Sequence, residues 1–386
     1  MTNVTISDAI RYIGCDDHDL DLFESQYIVP NGISYNSYVI MDQKIAIMDT
    51  ADERVTDQWF ANLEESLEGR EPDYLVVSHM EPDHASNIVR VCERYPGLQV
   101  VTTAAATRMI SQFFDVDLSD RLQAVKEGDQ LELGDHCLTF MMAPMVHWPE
   151  VMVEYESKEG VLFTADAFGK FGCLDVDEEW DCEARRYYVN ICGKYGPQVQ
   201  ALMKKVRTQE VKTICPLHGP ILKEDLDHYL DKYDIWSKYE VEDEGVAIVY
   251  GSIHGNTGKA AKKMAEIMEE KGQLVEIFDL SRDDMAEAVE NSFRYDKLIV
   301  ACPTYDAGLF PPMEDFLYHL KMKNFQKRKV AIIENGSWAP MAGKLMRAKL
   351  EECKDCQIMD QVITIRSAMK PADVDLMKKL AEDMLA

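Results

Sequence analysis

Apolar and polar positions alternate with two different periods along this chain, and the order of those periods outlines its architecture. Residues 4–14 and 34–49 read as strands, the second folding back at Asp42 and Gln43 into a hairpin. Val55, Trp59, Phe60, Leu63 and Leu67 then recur at helical spacing, and Tyr74 to Val77 supplies a further strand. Residues 85–95 and 104–114 carry apolar positions spaced for helices, with a strand at 99–102 between them. From Asp129 the pattern becomes a run of strands, 131–133, 137–143, 152–155 and 161–164, separated by Gly, Asp and Pro, which implies a second sheet.

Residues 226–244 turn helical and then acidic, ending in Glu240-Val241-Glu242-Asp243-Glu244-Gly245, the natural place for a linker. Beyond it the alternation is regular. Strands at 246–250, 274–278, 297–301, 329–333 and 361–365 are interleaved with helices at 260–271, 284–290, 313–320 and 343–353. Five strands separated by helices predict a doubly wound parallel sheet. Two α/β domains of different fold are therefore expected, residues 1–243 and 245–386, with no internal repeat.

Composition narrows the function classes. With 46% hydrophobic and 28% charged residues the chain is an ordinary globular one, and no window approaches the roughly 18 uninterrupted apolar residues of a membrane span. The start lacks a basic segment followed by an apolar one, so a cytoplasmic location is expected. Acidic residues outnumber basic ones 69 to 41, a net charge of −28, which repels phosphate at long range and argues against nucleic acid. A basic or small neutral partner fits better. Ten scattered cysteines read as reduced, buried thiols, and Cys353-Lys354-Asp355-Cys356 is the single CxxC, without the second pair that a four-cysteine iron or zinc site requires.

The chemistry concentrates in His79-Met80-Glu81-Pro82-Asp83-His84, directly after the apolar run 74–77. Four potential metal ligands lie within six residues, and Pro82 cannot continue an ordinary helix or a central strand through them, so a bent loop is expected. His147, Asp166 and His218 each follow a predicted strand, and loops carried by a rigid sheet can converge on one point from distant sequence positions. His18, His136, His228, His254 and His319 lack such placement. His79, Glu81 and His147 can hold one metal and Asp83, His84 and His218 a second, with Asp166 bridging two cations about 3.5–4 Å apart. Four imidazoles and three carboxylates suit iron or manganese better than a closed structural zinc site.

Three loops of the second domain form another group. Ser252-Ile253-His254-Gly255-Asn256-Thr257-Gly258 lies between a strand and a helix, where amides and hydroxyls suit a terminal phosphate; its spacing is neither a Walker loop nor GxGxxG. Pro303-Thr304-Tyr305-Asp306-Ala307-Gly308 and Asn335-Gly336-Ser337-Trp338 follow at strand C-terminal ends, the edge where open α/β sheets bind ligands. Tyr305 and Trp338 can sandwich an isoalloxazine.

Together these loops resemble flavodoxin, which implies FMN. The His-x-Glu-x-Asp-His pattern with its isolated His, Asp and His resembles the metallo-β-lactamase superfamily, whose hydrolases usually carry His where this chain has Glu81. That departure is the one flavodiiron proteins show. The resemblance to them extends through Ser34-Tyr35-Asn36-Ser37-Tyr38, Tyr188-Val189-Asn190-Ile191, Cys215-Pro216-Leu217-His218-Gly219-Pro220 and the whole second domain. It implies a metallo-β-lactamase-like αββα sandwich followed by a flavodoxin-like sheet, with a non-haem di-iron centre and FMN. The implied activity is reduction of O2 to water, of NO to N2O, or both. A separate rubredoxin-like protein is implied as electron donor, since no rubredoxin tail follows, and a head-to-tail homodimer or dimer of dimers as the assembly. Tyr195 resembles a pocket tyrosine of that family. Asp306 stands where its relatives often have Asn, and Ala339-Pro340-Met341 where many have a Gly-containing turn. The alternative is a zinc hydrolase with a regulatory flavodoxin domain; an electron carrier with a vestigial metal domain conflicts with the intact ligand set.

Overall fold

Strands Tyr38–Ile40 and Ala46–Met48 are buried along their whole length, which an antiparallel pair achieves only when both of its faces are covered. The computed structural model, which describes residues 4–386, divides into two compact units, Met1–Asp234 and Ile235–Ala386. In the first unit that hairpin sits inside a six-stranded sheet, in the order Ile10–Tyr12, Tyr38–Ile40, Ala46–Met48, Tyr74–Val76, Gln99–Thr103 and Leu122–Val125. The first three strands are antiparallel; the last four run parallel, joined through helices Thr56–Leu67, Ile88–Arg94 and Ala104–Phe113.

A second sheet takes Gln130–Glu132, Cys137–Met142, Met152–Glu156, Val161–Phe163 and Thr213–Cys215 in sequence order. Tyr38, Met48, Val76 and Val101 from the first sheet share one apolar core with Leu138, Phe140, Met152 and Phe163 from the second. Two sheets packed face to face with helices outside make an αββα sandwich. Helices Trp180–Ile191 and Gly196–Val206 and strand Leu122–Val125 belong to this unit and were not marked by the periodicity.

The metal-ligand stretch departs from the bent loop expected of it. Pro82 opens a short helix, Pro82–Ala85, that carries Asp83 and His84. Proline is well suited to a first helical position, where the missing N–H would find no intrahelical partner and its fixed φ is already helical. The helix continues in space as Ile88–Arg94, so the expected single helix over 85–95 starts earlier and is broken near Asn87.

The second unit is a parallel sheet in the order Val275–Asp279, Asp243–Tyr250, Tyr295–Tyr305, Lys329–Asn335 and Gln357–Ile365, with helices between successive strands and a closing helix, Pro371–Leu385. Winding reverses between the first and third strands in the chain, and the crevice at their C-terminal ends is where such sheets bind ligands.

One tie in the first unit joins distant sequence. Asn36 is fully buried, and its Nδ2 donates to the carbonyls of Pro216 and Gly219, 2.8 Å each, while Tyr38 Oη donates to Pro216 O at 2.6 Å and Ser34 Oγ accepts from Gly219 N at 2.7 Å. This clamp holds the loop that bears His218. Asn36→Ala strands the Gly219 carbonyl, while Pro216 O keeps its bond from Tyr38 Oη, so it should destabilise the metal-free protein by about 1–3 kcal/mol in urea denaturation. An unchanged unfolding midpoint would show the clamp to be dispensable.

Candidate metal centre and cofactor loops

The seven residues singled out in the first domain meet at one end of the sandwich. His79 and Glu81 follow strand Tyr74–Val76, His147 lies in the loop before Met152–Glu156, Asp166 follows Val161–Phe163, and His218 follows Thr213–Cys215. His79, Glu81, His147 and Asp166 form one compact group of donor atoms, and Asp83, His84 and His218 form another. In the first group His147 Nε2 is 3.0 Å from Glu81 Oε2 and 2.9 Å from Asp166 Oδ2, and His79 Nε2 is 3.2 Å from Glu81 Oε2. In the second, the Nε2 atoms of His84 and His218 are 3.0 Å apart, and each is 3.3 Å from Asp83 Oδ2. Asp166 faces both groups: Oδ2 points to His147, and Oδ1 lies 3.3 Å from His84 Nε2.

The donors fit metal ions. His79 Nδ1 lies 2.8 Å from a Glu150 oxygen and His218 Nδ1 2.7 Å from the Ser34 carbonyl. Both of those partners accept hydrogen bonds, so each ring presents the Nε2 lone pair to the cluster. Both carboxylate oxygens of Asp83 and Oδ1 of Asp166 are buried without a hydrogen-bond partner among the described residues. Buried polar atoms normally find partners, and orphans converging beside facing lone pairs are what bound cations would satisfy.

Proton affinities in the metal-free chain follow the same logic. Burial alone would lower His79 and His147, but the surrounding carboxylates outweigh it, led by Asp166 for both: His79 is raised well above the usual histidine value and His147 to about 9. Burial pushes Asp83 up to about 8. Burial also opposes the charged forms of Glu81 and Asp166, yet hydrogen bonds and charge from His147 and His79 hold both well below the ordinary carboxylate range. Burial lowers His218.

Residues outside the predicted set complete the centre. Asp49 Oδ1 accepts from the backbone N–H of Ser78 at 2.7 Å and of His79 at 3.4 Å, and Ser78 Oγ donates to Glu154 at 3.0 Å. Thr50 Oγ1 donates to the His84 carbonyl at 2.7 Å. Phe23, Tyr35 and Tyr187 pack around the His218 ring, and Trp148 lies edge-on to His79. Tyr187 is fully buried, and its hydroxyl has no hydrogen-bond partner among the described residues. Burial, then the charge of Asp166 with further contributions from Glu81 and Asp83, raises that hydroxyl well above the usual tyrosine value. Tyr195 is half-buried where one helix gives way to the next, with the Lys194 ammonium 5.7 Å from its ring centroid. Tyr187 was not among the predicted site residues. Its position, one residue before the Tyr188-Val189-Asn190-Ile191 stretch, was the available signal.

Three of the other histidines are engaged elsewhere. His136 Nδ1 is 2.7 Å from Asp42, His228 Nε2 2.6 Å from Asp181, and His319 Nδ1 2.9 Å from the Asp315 carbonyl.

In the second unit all three predicted loops leave the C-terminal edge of the sheet. Ser252 Oγ accepts from the N–H groups of Gly255 and Gly258, 3.1 Å each, which leaves its own proton to donate outward. Gly255 has φ +86 immediately before helix Asn256–Glu270 and, having no side chain, leaves the Gly258 N–H to Ser252. Ile253, His254 and Gly255 are exposed, Asn256 is half-buried, and Thr257 and Gly258 are buried. A helix N-terminus beside a hydroxyl that can donate outward suits an anion. Pro303, Thr304, Tyr305, Asp306, Ala307 and Gly308 form a tight hairpin in which Asp306 and Ala307 both have positive φ, 48 and 60, as a type I′ turn requires. Thr304 Oγ1 accepts from the amides of Met341 and Ala342, and Asn335 Nδ2 donates to Ser367 O, so the loop with Gly336, Ser337 and Trp338 is anchored at both ends. Tyr305 is 44% and Trp338 89% exposed. Two large rings left open at a binding edge fit a planar ligand.

Comparison with known proteins agrees with this geometry. Residues 33–219 match the model of the ODP family beta lactamase, and residues 248–366 match flavodoxin. The nitric oxide reductase of Moorella thermoacetica is 28% identical, the match covering 99% of this chain and 98% of that protein. The anaerobic nitric oxide reductase flavorubredoxin of Vibrio vulnificus is 27% identical over 95% of this chain and 76% of its own. Rubredoxin oxygen:oxidoreductase from Desulfovibrio gigas has the same fold, with a TM-score of 0.92 at 24% identity, over 99% of this chain and 97% of that one. The first unit is thus metallo-β-lactamase-like and the second flavodoxin-like.

Protons held by His79, His147 and Asp83 must leave when a metal enters. Metal uptake by the metal-free protein should therefore release protons, and affinity should rise from pH 6 to pH 9, by roughly tenfold per unit for each proton displaced. Competition titrations with a pH indicator measure both; affinity that does not vary with pH would contradict the protonation pattern.

Proposed function

Because the chain belongs to the flavodiiron proteins, a metallo-β-lactamase-like domain followed by a flavodoxin-like one, we propose that it is an oxidoreductase reducing O2 to water, NO to N2O, or both. The observation that carries this reading is Glu81, whose carboxylate stands beside both His79 and His147. A carboxylate adds negative charge and a hard oxygen donor, stabilising the more oxidised metal and favouring iron over a hydrolytic zinc. His79, Glu81 and His147 would hold one iron, Asp83, His84 and His218 the other, and Asp166 would span them. The cradle at Ser252 to Gly258 would take the FMN phosphate, with Tyr305 and Trp338 flanking the ring.

Two irons and one flavin, when bound, supply up to four electrons, enough with four protons to convert O2 to two waters; two NO need only two electrons and two protons to give N2O and water. The chain's own residues enclose and orient. Phe23, Tyr35 and Trp148 wall the centre with rings that limit water. The Tyr187 hydroxyl, which has no hydrogen-bond partner among the described residues, would donate a hydrogen bond to oxygen developing charge at the centre.

Electrons would arrive from a rubredoxin-like carrier in the same compartment, the cytoplasm. We further propose the head-to-tail dimer, or a dimer of dimers, in which the flavin loops of one copy meet the metal loops of another; the exposure of Trp338 supports a covered position in the assembly.

Protein purified without oxygen should contain two irons and one FMN per chain. Fully reduced protein mixed separately with O2 and with NO should be reoxidised by at least one of them. Two zincs per chain together with ester or thioester hydrolysis would overturn the reading. Tyr187→Phe should keep both metals and lower turnover by roughly two- to tenfold, the worth of one hydrogen bond; full turnover would remove Tyr187 from the reaction.

A further inference from the structure

An imidazole that binds a metal is oriented by what its other ring nitrogen does. The two halves of this centre differ in that respect. His218 Nδ1 donates at 2.7 Å to the backbone carbonyl of Ser34, a neutral acceptor. His79 Nδ1 donates at 2.8 Å to Glu150 Oε1, and both side chains are fully buried. A carboxylate only accepts, so the proton sits on Nδ1 of His79.

Glu150 is held firmly in this role. Its Oε1 also accepts from the backbone N–H of Met80 at 2.9 Å, and its own carbonyl accepts from Thr103 Oγ1 at 3.1 Å. The other oxygen, Oε2, has no hydrogen-bond partner among the described residues. The carboxylate is therefore directed at His79 and Met80. It lies three residues after His147, so one loop delivers both a candidate ligand and the group that orients another.

We propose that Glu150 is a positioning residue of the metal centre: its carboxylate locks His79 with the Nε2 lone pair inward and strengthens that nitrogen as a donor. The half-site of His79, Glu81 and His147 is thereby the tighter and more electron-rich of the two. An anionic acceptor at Nδ1 pushes electron density toward Nε2 more than the neutral Ser34 carbonyl does for His218. The inference rests on these residues holding metal, and it does not depend on that metal being iron.

Two substitutions separate charge from shape. Glu150→Gln keeps an oxygen able to accept from His79 and Met80 but removes the charge; Glu150→Ala removes both. Holoprotein carrying its native metal is competed against a chelator, and metal retained per chain is counted. Glu150→Ala should hold one of its two metals roughly 10–100-fold more weakly than the wild type and the other unchanged, with Glu150→Gln between. In the iron form, Glu150→Gln should also raise the midpoint potential of the centre, because the oxidised ion loses electron donation. Wild-type retention and potential in both variants, or equal loosening of both metals, would overturn the proposal. If Glu150→Ala does not fold, Glu150→Gln decides alone. Zinc in the native protein would overturn the redox reading and leave the chelator competition standing as the test of Glu150.

Discussion

A single buried carboxylate, Asp166, turns one oxygen toward each half of the donor cluster, and the first unit is organised to keep it there. The residue follows a central strand of the second sheet, flanked by Ala165 and Phe168 in left-handed backbone conformations. Leu217 N donates to Ala165 O at 2.9 Å, tying the Asp166 loop to the loop of His218. That second loop is in turn clamped by Ser34, Asn36 and Tyr38. Removing either tie would let the two halves drift, and a shared ligand tolerates little drift.

The electrostatics of the site follow from this closeness. Three carboxylates and four imidazoles lie together out of water, where unpaired charge is expensive. Without metal, protons on His79 and His147 offset part of the anionic charge, and Asp83 stays protonated well beyond the usual carboxylate range. Such an arrangement is unfavourable as a structural core. It is reasonable as a site built to exchange protons for cations, which is the property that separates it from an ordinary buried ion-pair network.

Much of this was legible along the chain, for identifiable reasons. His147, Asp166 and His218 each follow a strand, so the sheets alone bring them together, and residue type does the rest. Pro82 was misleading, because the same ring that interrupts a helix also starts one. Glu150 carries no local mark; its importance depends on which ring nitrogen stands opposite it, and that is set by tertiary packing. In the second unit the strand–loop–helix alternation exposed both the parallel sheet and its binding edge. The positive φ at Ala307, second of two in that turn, could not be read from a residue that rarely adopts one.

Glu81 connects fold to chemistry most directly, since it is the one donor that differs from the hydrolases this architecture resembles. The decisive measurement is the metal content and O2- or NO-dependent reoxidation of Glu81→His beside the wild type, both loaded from mixtures of iron and zinc. The account predicts that the variant takes up less iron and more zinc and that its reductase activity collapses. Unchanged iron content with unchanged activity would show that the carboxylate does not select the redox metal, and the account would fail.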